Sequence, residues 1–356
     1  MSKDLKFKLG IFSANCSGGI TPSLLDDGWK ADWQDNLELA QMADEAGIDF
    51  MLPVARFIGF GGQKDFQGKV LETITWAAAL LARTERIRIF TTLHTPMNHP
   101  VIAAKQLATM AQIGGDRIGL NIVAGFYKAE CEALGVELPD DHSIRYRYAQ
   151  EWFDLVKKVW KSDKPFDWNG EFFQCKQVYG KPRLESVPPI FNAAGSKQGR
   201  EFALKNSDFL FTTVARDLQE SKLEIEQLKL QANKVARDIE VLTFIHIICR
   251  PTEEEAQAEW KRQLDHEDTD AVEYIMHTLF AYSQAIQPDL IKDLRDRIVT
   301  AFGGFPIVGT PEQVANGILN LQAIGFSGAA IAFLDYKKEF AYFRDHVLPL
   351  LYQSDN

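Results

Sequence analysis

The stretch "IGLNIVAGFYKAECEALG", residues 118 to 135, starts as a buried strand and then does something a buried strand avoids. Asn121 sits at the head of Ile122, Val123 and Ala124, and the run leaves through Gly125 into Phe126, Tyr127, Lys128 and Glu130. The apolar part is short and rich in branched residues, as in a strand covered on both faces of a parallel sheet. An amide at its mouth, with a carboxylate nine positions downstream, marks a place where chemistry rather than packing chose the residues.

Working outward, seven further runs share this character. Before it come "KFKLGIFSA" (6 to 14), "IDFMLPVAR" (48 to 56) and "IRIFTTLHT" (87 to 95). After it come "IFNAAG" (190 to 195), "DFLFTTV" (208 to 214), "EVLTFIHIICR" (240 to 250) and "GAAIAFLDY" (328 to 336). Helical periodicity fills the spaces between them, notably in 33 to 47, 69 to 85, 100 to 115 and 310 to 325. The last of these opens with Thr310 as N-cap and Pro311 at the first helical position, and it stops at Gly325. Eight alternating units predict an α/β fold, a (β/α)8 TIM barrel whose function gathers at the C-terminal ends of the strands. An open doubly wound sheet is the alternative, but no GxGxxG follows the first strand.

Two stretches interrupt the rhythm. Residues 126 to 189 hold a helix around "RYRYAQEWFDLVKKVWKSD" and a small hairpin at "WNGEFFQC"; residues 251 to 309 are polar and helix-prone. Insertions at this face of a barrel supply lids and binding walls, and 251 to 309 is the candidate lid. No linker or internal repeat stands out, so a single domain over 1 to 356 is expected.

Composition narrows the function. The 356 residues are 46% hydrophobic and 25% charged with a formal net charge of −10, both signs being mixed along the chain, so no basic stripe invites nucleic acid. Neither a secretory h-region nor a run of about 18 apolar residues occurs, which predicts a cytoplasmic protein away from membranes. Cys16, Cys131, Cys175 and Cys249 are scattered without a CxxC pair, so reduced and mostly buried thiols are expected. The first strand runs into "FSANCSG" rather than His-x-His, and no metal is expected.

The strand ends depart from a plain core. The second strand ends in Arg56 and the glycine-rich turn "FIGFGG" (57 to 62), where backbone can approach a flat ligand. His94, at the end of the third strand, has both a structural and a substrate-facing reading, whereas His246 lies in an apolar strand and reads as a hydrogen-bonded core residue. In "NAAGSKQG" (192 to 199) a small-residue turn with Ser196 precedes a helix, whose free N–H groups suit a phosphate; Arg145 and Tyr146 are placed to close on the same anion. An ordinary serine cap and a solvated arginine are the plain alternative.

Together "RFIGFGG", "RIGLNIVAGFYKAECEALG", "RYRYAQEW" and "GSKQG" make the chain resemble the bacterial-luciferase-like flavin monooxygenases, in the branch of dimethyl sulfone monooxygenase and pyrimidine oxygenase. The resemblance runs from "KLGIF" to "YFRDHVLPLL". It implies an FMN site, with Ala55 and Arg56 contacting the flavin, Asn121 near its ring and Glu130 in the following loop. It also implies Arg145 and Tyr146 serving the ribityl phosphate, and Gly195 and Ser196 binding it. Arg56 and His94 are then the candidates for catalytic roles. Further implications are reduced FMN from a separate NAD(P)H-dependent flavin reductase, O2 as co-substrate, and a homo-oligomer. "NCSGGI" and the C-terminal segment from "IVGTPEQ" are closer to the sulfone enzyme, whereas "FIGFGGQKDF" is closer to the pyrimidine enzyme. The expectation leans to a small organosulfur substrate. A deazaflavin-dependent dehydrogenase and a non-catalytic flavin-binding protein on the same barrel are the rival readings.

Overall fold

Eight strands pair in parallel and close on themselves: β1 (Lys8–Phe12), β2 (Phe50–Leu52), β3 (Arg88–His94), β4 (Ile118–Val123), β5 (Ile190–Ala193), β6 (Phe209–Phe211), β7 (Glu240–Cys249) and β8 (Gly328–Ala332). The computed structural model describes residues 6–125, 127–193, 195–280 and 288–354. Closure is made by β8, which sets Gly328 beside Lys8 of β1 and beside Leu242 of β7. The expected (β/α)8 barrel is the observed fold. One parallel strand lies outside that count: Phe305–Gly309 pairs with Ile245 to Cys249 of β7, beyond the point where β6 stops at Leu242.

The barrel interior is a stack of aromatic rings. Phe90 meets Phe191 at 4.7 Å between centroids, Phe191 meets Phe209 at 4.8 Å, and Phe211 meets Phe244 at 5.5 Å. Each buried Phe is worth roughly 1.5–3 kcal/mol by area removed from water. Two strand glycines make room for the stack, since a Cβ on Gly10 would lie 2.1 Å from the Phe50 ring and one on Gly119 2.2 Å from Phe90.

Outside the barrel run α1 (Trp33–Ala46), α2 (Thr73–Leu81), α3 (Pro100–Gly114), α4 (Lys128–Ala133), α5 (His142–Lys161), α6 (Lys197–Asn206) and α7 (Leu218–Lys234). After β7 come α8 (Glu253–Asp265), α9 (Thr269–Phe280), α10 (Pro288–Ala301) and α11 (Pro311–Ala323), and α12 (Tyr336–His346) and α13 (Leu348–Ser354) follow β8. Thr310 caps α11 with a reciprocal Gln313 contact, as its sequence pattern predicts. His99 caps α3, its ring accepting from Val101 N–H, and His246 is fully buried with Nε2 3.0 Å from Gln263 Oε1. Cys16, Cys131 and Cys249 are buried, and Cys175 is half-buried on the hairpin formed by Phe166–Asn169 and Gln174–Val178.

Several elements are shorter than their apolar runs. Strand β2 ends at Leu52 because Pro53 has no N–H for the ladder; Asn15 then takes over, its Oδ1 accepting from Val54 N–H at 3.0 Å. The helix expected over 69 to 85 starts only at Thr73, because Glu72 turns its carboxylate back onto the N–H groups of Ile74 and Thr75. It ends at Leu81, and Asp44 receives the N–H groups of Glu85, Arg86 and Ile87 that follow. Within the stretch expected as a lid, residues 281–287 lie outside the described residues. The remainder holds α8, α9 and α10 and ends in the strand Phe305–Gly309, and α9 and α10 bury Ala271, Val272, Ile275, Ile298 and Val299 against Phe60, Phe66 and Tyr127. No helix among the described residues is long and apolar enough to cross a membrane.

Candidate active site

The C-terminal ends of β2 and β3 open onto a cavity of about 170 Å³, whose lining includes Ala55, Arg56, Phe57, Thr92, His94 and Asn98. Arg56 enters it from the loop after Pro53 that Asn15 clasps, with Asn15 Nδ2 donating to the carbonyls of Val54 and Leu71. Only 6% of Arg56 is exposed, and its guanidinium lies 4.6 Å from the centre of the Phe60 ring and 5.2 Å from that of Tyr127. Burial lowers its pKa, and the Glu130 charge opposes that shift.

Glu130, in α4, is fully buried. Its Oε1 accepts from the backbone N–H groups of Phe57 (2.5 Å) and Ile58 (3.2 Å), so one carboxylate oxygen fixes the turn immediately after Arg56. Its Oε2 lies 3.9 Å from His94 Nδ1, and neither atom has a hydrogen-bond partner among the described residues. His94 is pushed down to about 3 by burial and then by the Arg56 charge, so its imidazole is neutral at working pH. The Cys16 thiol is pushed up to about 12 by burial, which makes it a packing group rather than a nucleophile.

The histidine shift has a stability consequence. An unfolded histidine takes up its proton near pH 6.5, whereas folded His94 refuses one until about pH 3. Its contribution to stability is therefore complete above pH 6.5 and is lost as pH falls from there towards 3. His246, held down to about 4, acts in the same direction. The ring resonances of His94 should not titrate between pH 5 and 8 by NMR, and a titration near 6.5 would contradict this burial.

Asn121 faces Thr92 across the β3–β4 pairing, and its Nδ2 donates to Thr92 Oγ1 at 3.1 Å. Thr92 Oγ1 in turn donates to the Pro53 carbonyl at 2.5 Å, so this threonine, unmarked in the sequence, ties Asn121 to the loop carrying Arg56. A second group lies at the end of β5. Ser196 caps α6, its Oγ accepting from Gly199 N–H at 3.1 Å, and burial raises the pKa of the neighbouring Tyr146 phenol while Ser196 opposes that rise. Gly195 is exposed, and a Cβ built there would meet nothing within 4 Å. Arg145 was expected to serve the same phosphate; its buried guanidinium hydrogen-bonds to the carbonyls of Pro139 and Gly125 in the loop between β4 and α5, and its charge acts on the Tyr146 phenol.

The geometry thus brings Ala55, Arg56, His94 and Glu130 together, joins Asn121 to them through Thr92, and sets Tyr146 and Ser196 as a separate pair. Residues 7–328 of the chain match the family described as luciferase-like monooxygenase. The chain belongs to the luciferase-like monooxygenases. It is 31% identical to the FMNH(2)-dependent dimethylsulfone monooxygenase of Pseudomonas putida over 359 aligned positions, covering 99% of this chain and 96% of that one. It is 29% identical to pyrimidine monooxygenase RutA of Bradyrhizobium sp. strain BTAi1, covering 96% of each. The solved structure of DmoA from Hyphomicrobium sulfonivorans superposes with a TM-score of 0.86 at 17% identity, covering 98% of this chain and 89% of that one, and shares the fold.

In this luciferase-like monooxygenase two glycines of the turn after Arg56 serve the protein itself. A Cβ on Gly59 would lie 2.6 Å from Gly68 N, and one on Gly62, at φ +78°, 2.4 Å from the Asp268 carboxylate. The sequence offered no sign of Tyr127 as a wall of the Arg56 site. This tyrosine follows Gly125, where the apolar run has already ended, and only the fold carries it over residue 56.

Proposed function

We propose that this luciferase-like monooxygenase uses reduced FMN, delivered by a separate flavin reductase, and O2 to oxidise a small organosulfur compound such as dimethyl sulfone. The observation that carries the reading is the buried Arg56 cation beside the Glu130–His94 pair at the edge of a small cavity. The residues fit the cofactor on two grounds. His94 Nδ1 and Glu130 Oε2 are buried polar atoms with capacity left over, and the Tyr146–Ser196 pair stands at a helix N-terminus with open space before Gly195.

When bound, reduced FMN supplies the electrons that activate O2. The chain's own residues hold and shield. Arg56 offsets negative charge at the flavin ring in a low-dielectric setting, and Asn121 offers directional hydrogen bonds at the polar edge of an otherwise apolar plate. Tyr146, Ser196 and the first N–H groups of α6 bind the phosphate, with Arg145 bracing the loop that leads to them. Neutral His94 offers a hydrogen bond without adding charge, and α9 and α10 cover the Arg56 turn so that water is kept out.

The sulfone reading is supported by the 31% identical relative. A pyrimidine ring-opening oxidation is the second reading, supported by the 29% identical relative and by "FIGFGGQKDF". Asn121→Ala and Ser196→Ala are each expected to weaken reduced-FMN binding about 3- to 10-fold, the worth of one or two net hydrogen bonds. Anaerobic titration of flavin fluorescence checks this, and unchanged affinity in both variants rejects the site assignment.

A further inference from the structure

The turn that carries Arg56 is gripped from outside the barrel at two points, both in and around α9. At its far end the Asp268 carboxylate accepts from Lys64 N–H at 2.9 Å and packs against Gly62. At its near end the Tyr127 hydroxyl lies 3.3 Å from the Gly59 carbonyl and 3.1 Å from the hydroxyl of Tyr274, which α9 contributes. A phenol has one proton to give. Both contacts are hydrogen bonds at once only when Tyr274 donates to Tyr127 and Tyr127 donates to Gly59. The rings repeat the arrangement, Tyr127 lying 5.3 Å from Phe60 and 6.3 Å from Tyr274, with the Arg56 guanidinium against both Phe60 and Tyr127.

We infer that Tyr127 and Tyr274 form a latch through which α9 positions Arg56, so that the insertion after β7 tunes the cation at the flavin site as well as covering it. Tyr127 is the inner half, buried and in contact with the guanidinium. Tyr274, 40% exposed, is the outer half and does not line the cavity. Its hydroxyl fixes the Tyr127 hydroxyl and, through the Gly59 carbonyl, the backbone between Arg56 and Phe60, while its ring leans on Phe60 at 6.3 Å between centroids. The flavin part of this inference rests on the role proposed for Arg56 above; the mechanical part does not.

Hydrogen–deuterium exchange on the wild-type protein, Tyr274→Phe and Tyr127→Phe separates the two. The amides of Phe57, Ile58 and Phe60 are each hydrogen-bonded within or beneath the turn and report its opening. Tyr274→Phe removes one oxygen at a rim position and keeps the ring. It is expected to speed exchange of a peptide spanning 57 to 62 at least threefold, more than 200 residues away in sequence, and Tyr127→Phe to speed it further. The ratio of oxidised- to reduced-FMN dissociation constants should fall in both variants, because a displaced cation discriminates less between the two charge states. Wild-type exchange in both variants overturns the latch. Faster exchange with an unchanged ratio upholds the latch and overturns the charge role of Arg56, and a general loss of affinity for both flavin forms with unchanged exchange overturns the coupling.

Discussion

Arg56→Met is expected to weaken reduced-FMN binding about 10- to 100-fold while changing oxidised-FMN binding far less. The magnitude follows from a hydrogen bond or contact involving a charged group, worth about 1.5–3 kcal/mol, where each 1.4 kcal/mol is tenfold. The asymmetry follows from burial. With 6% of the residue exposed and two rings against the guanidinium, little water screens its charge, and an added negative charge on the flavin feels it strongly. Methionine keeps the length and apolar packing of the arginine stem, so the substitution removes charge with little change of volume. Anaerobic titration with both flavin forms checks the result, and an equal loss for the two would mean that Arg56 packs rather than charges the site.

Glu130→Ala should be the most destabilising single change in the site. Alanine strips the acceptor from the N–H groups of Phe57 and Ile58, and each buried donor left unpaired costs about 1–3 kcal/mol. Glu130→Gln keeps an oxygen for those two donors and removes the charge that opposes desolvation of Arg56. The expected outcome is a split. Thermal melting should fall by several degrees for alanine and little for glutamine, whereas turnover falls at least tenfold in both. Equal melting points for the two variants would show that Oε1 does not hold the turn.

Most of the fold was legible because the barrel repeats one signal eight times. Each strand is a short Ile, Val and Phe run bounded by turn residues, and the helices between them announce their caps, as Thr310 and Pro311 do for α11. Boundaries were less legible where a side chain from elsewhere ends an element. Asn15 clasping Val54 and Glu72 turning back on α2 cannot be read from local periodicity.

The site was legible as residues but not as partners. Asn121 and Arg56 stood out because polar groups at the mouths of apolar strands are rare, and Ser196 because a small-residue turn precedes a helix. Glu130 was expected to serve the flavin from the loop after β4, and its hold on the turn after Arg56 through one oxygen could not be read from the sequence. Arg145 shares its helix end with Tyr146, and its ties to the Pro139 and Gly125 carbonyls are partners that local periodicity does not announce. Thr92, Tyr127 and Tyr274 carried no signal of their own, since their importance lies entirely in what the fold sets beside them.

In the reaction proposed above, this luciferase-like monooxygenase oxidises a small sulfur compound with reduced FMN and O2. The direct measurement mixes anaerobic protein and reduced FMN with oxygenated buffer, with and without dimethyl sulfone, methanesulfonate or uracil. Flavin absorbance is followed, and each compound is assayed afterwards. The account predicts that reoxidation differs from that of free reduced FMN and that dimethyl sulfone alters its rate and is consumed in a protein-dependent way. Consumption of uracil instead would move the chain to the pyrimidine reading. Reoxidation identical to that of free flavin, with every compound recovered intact, would contradict the account.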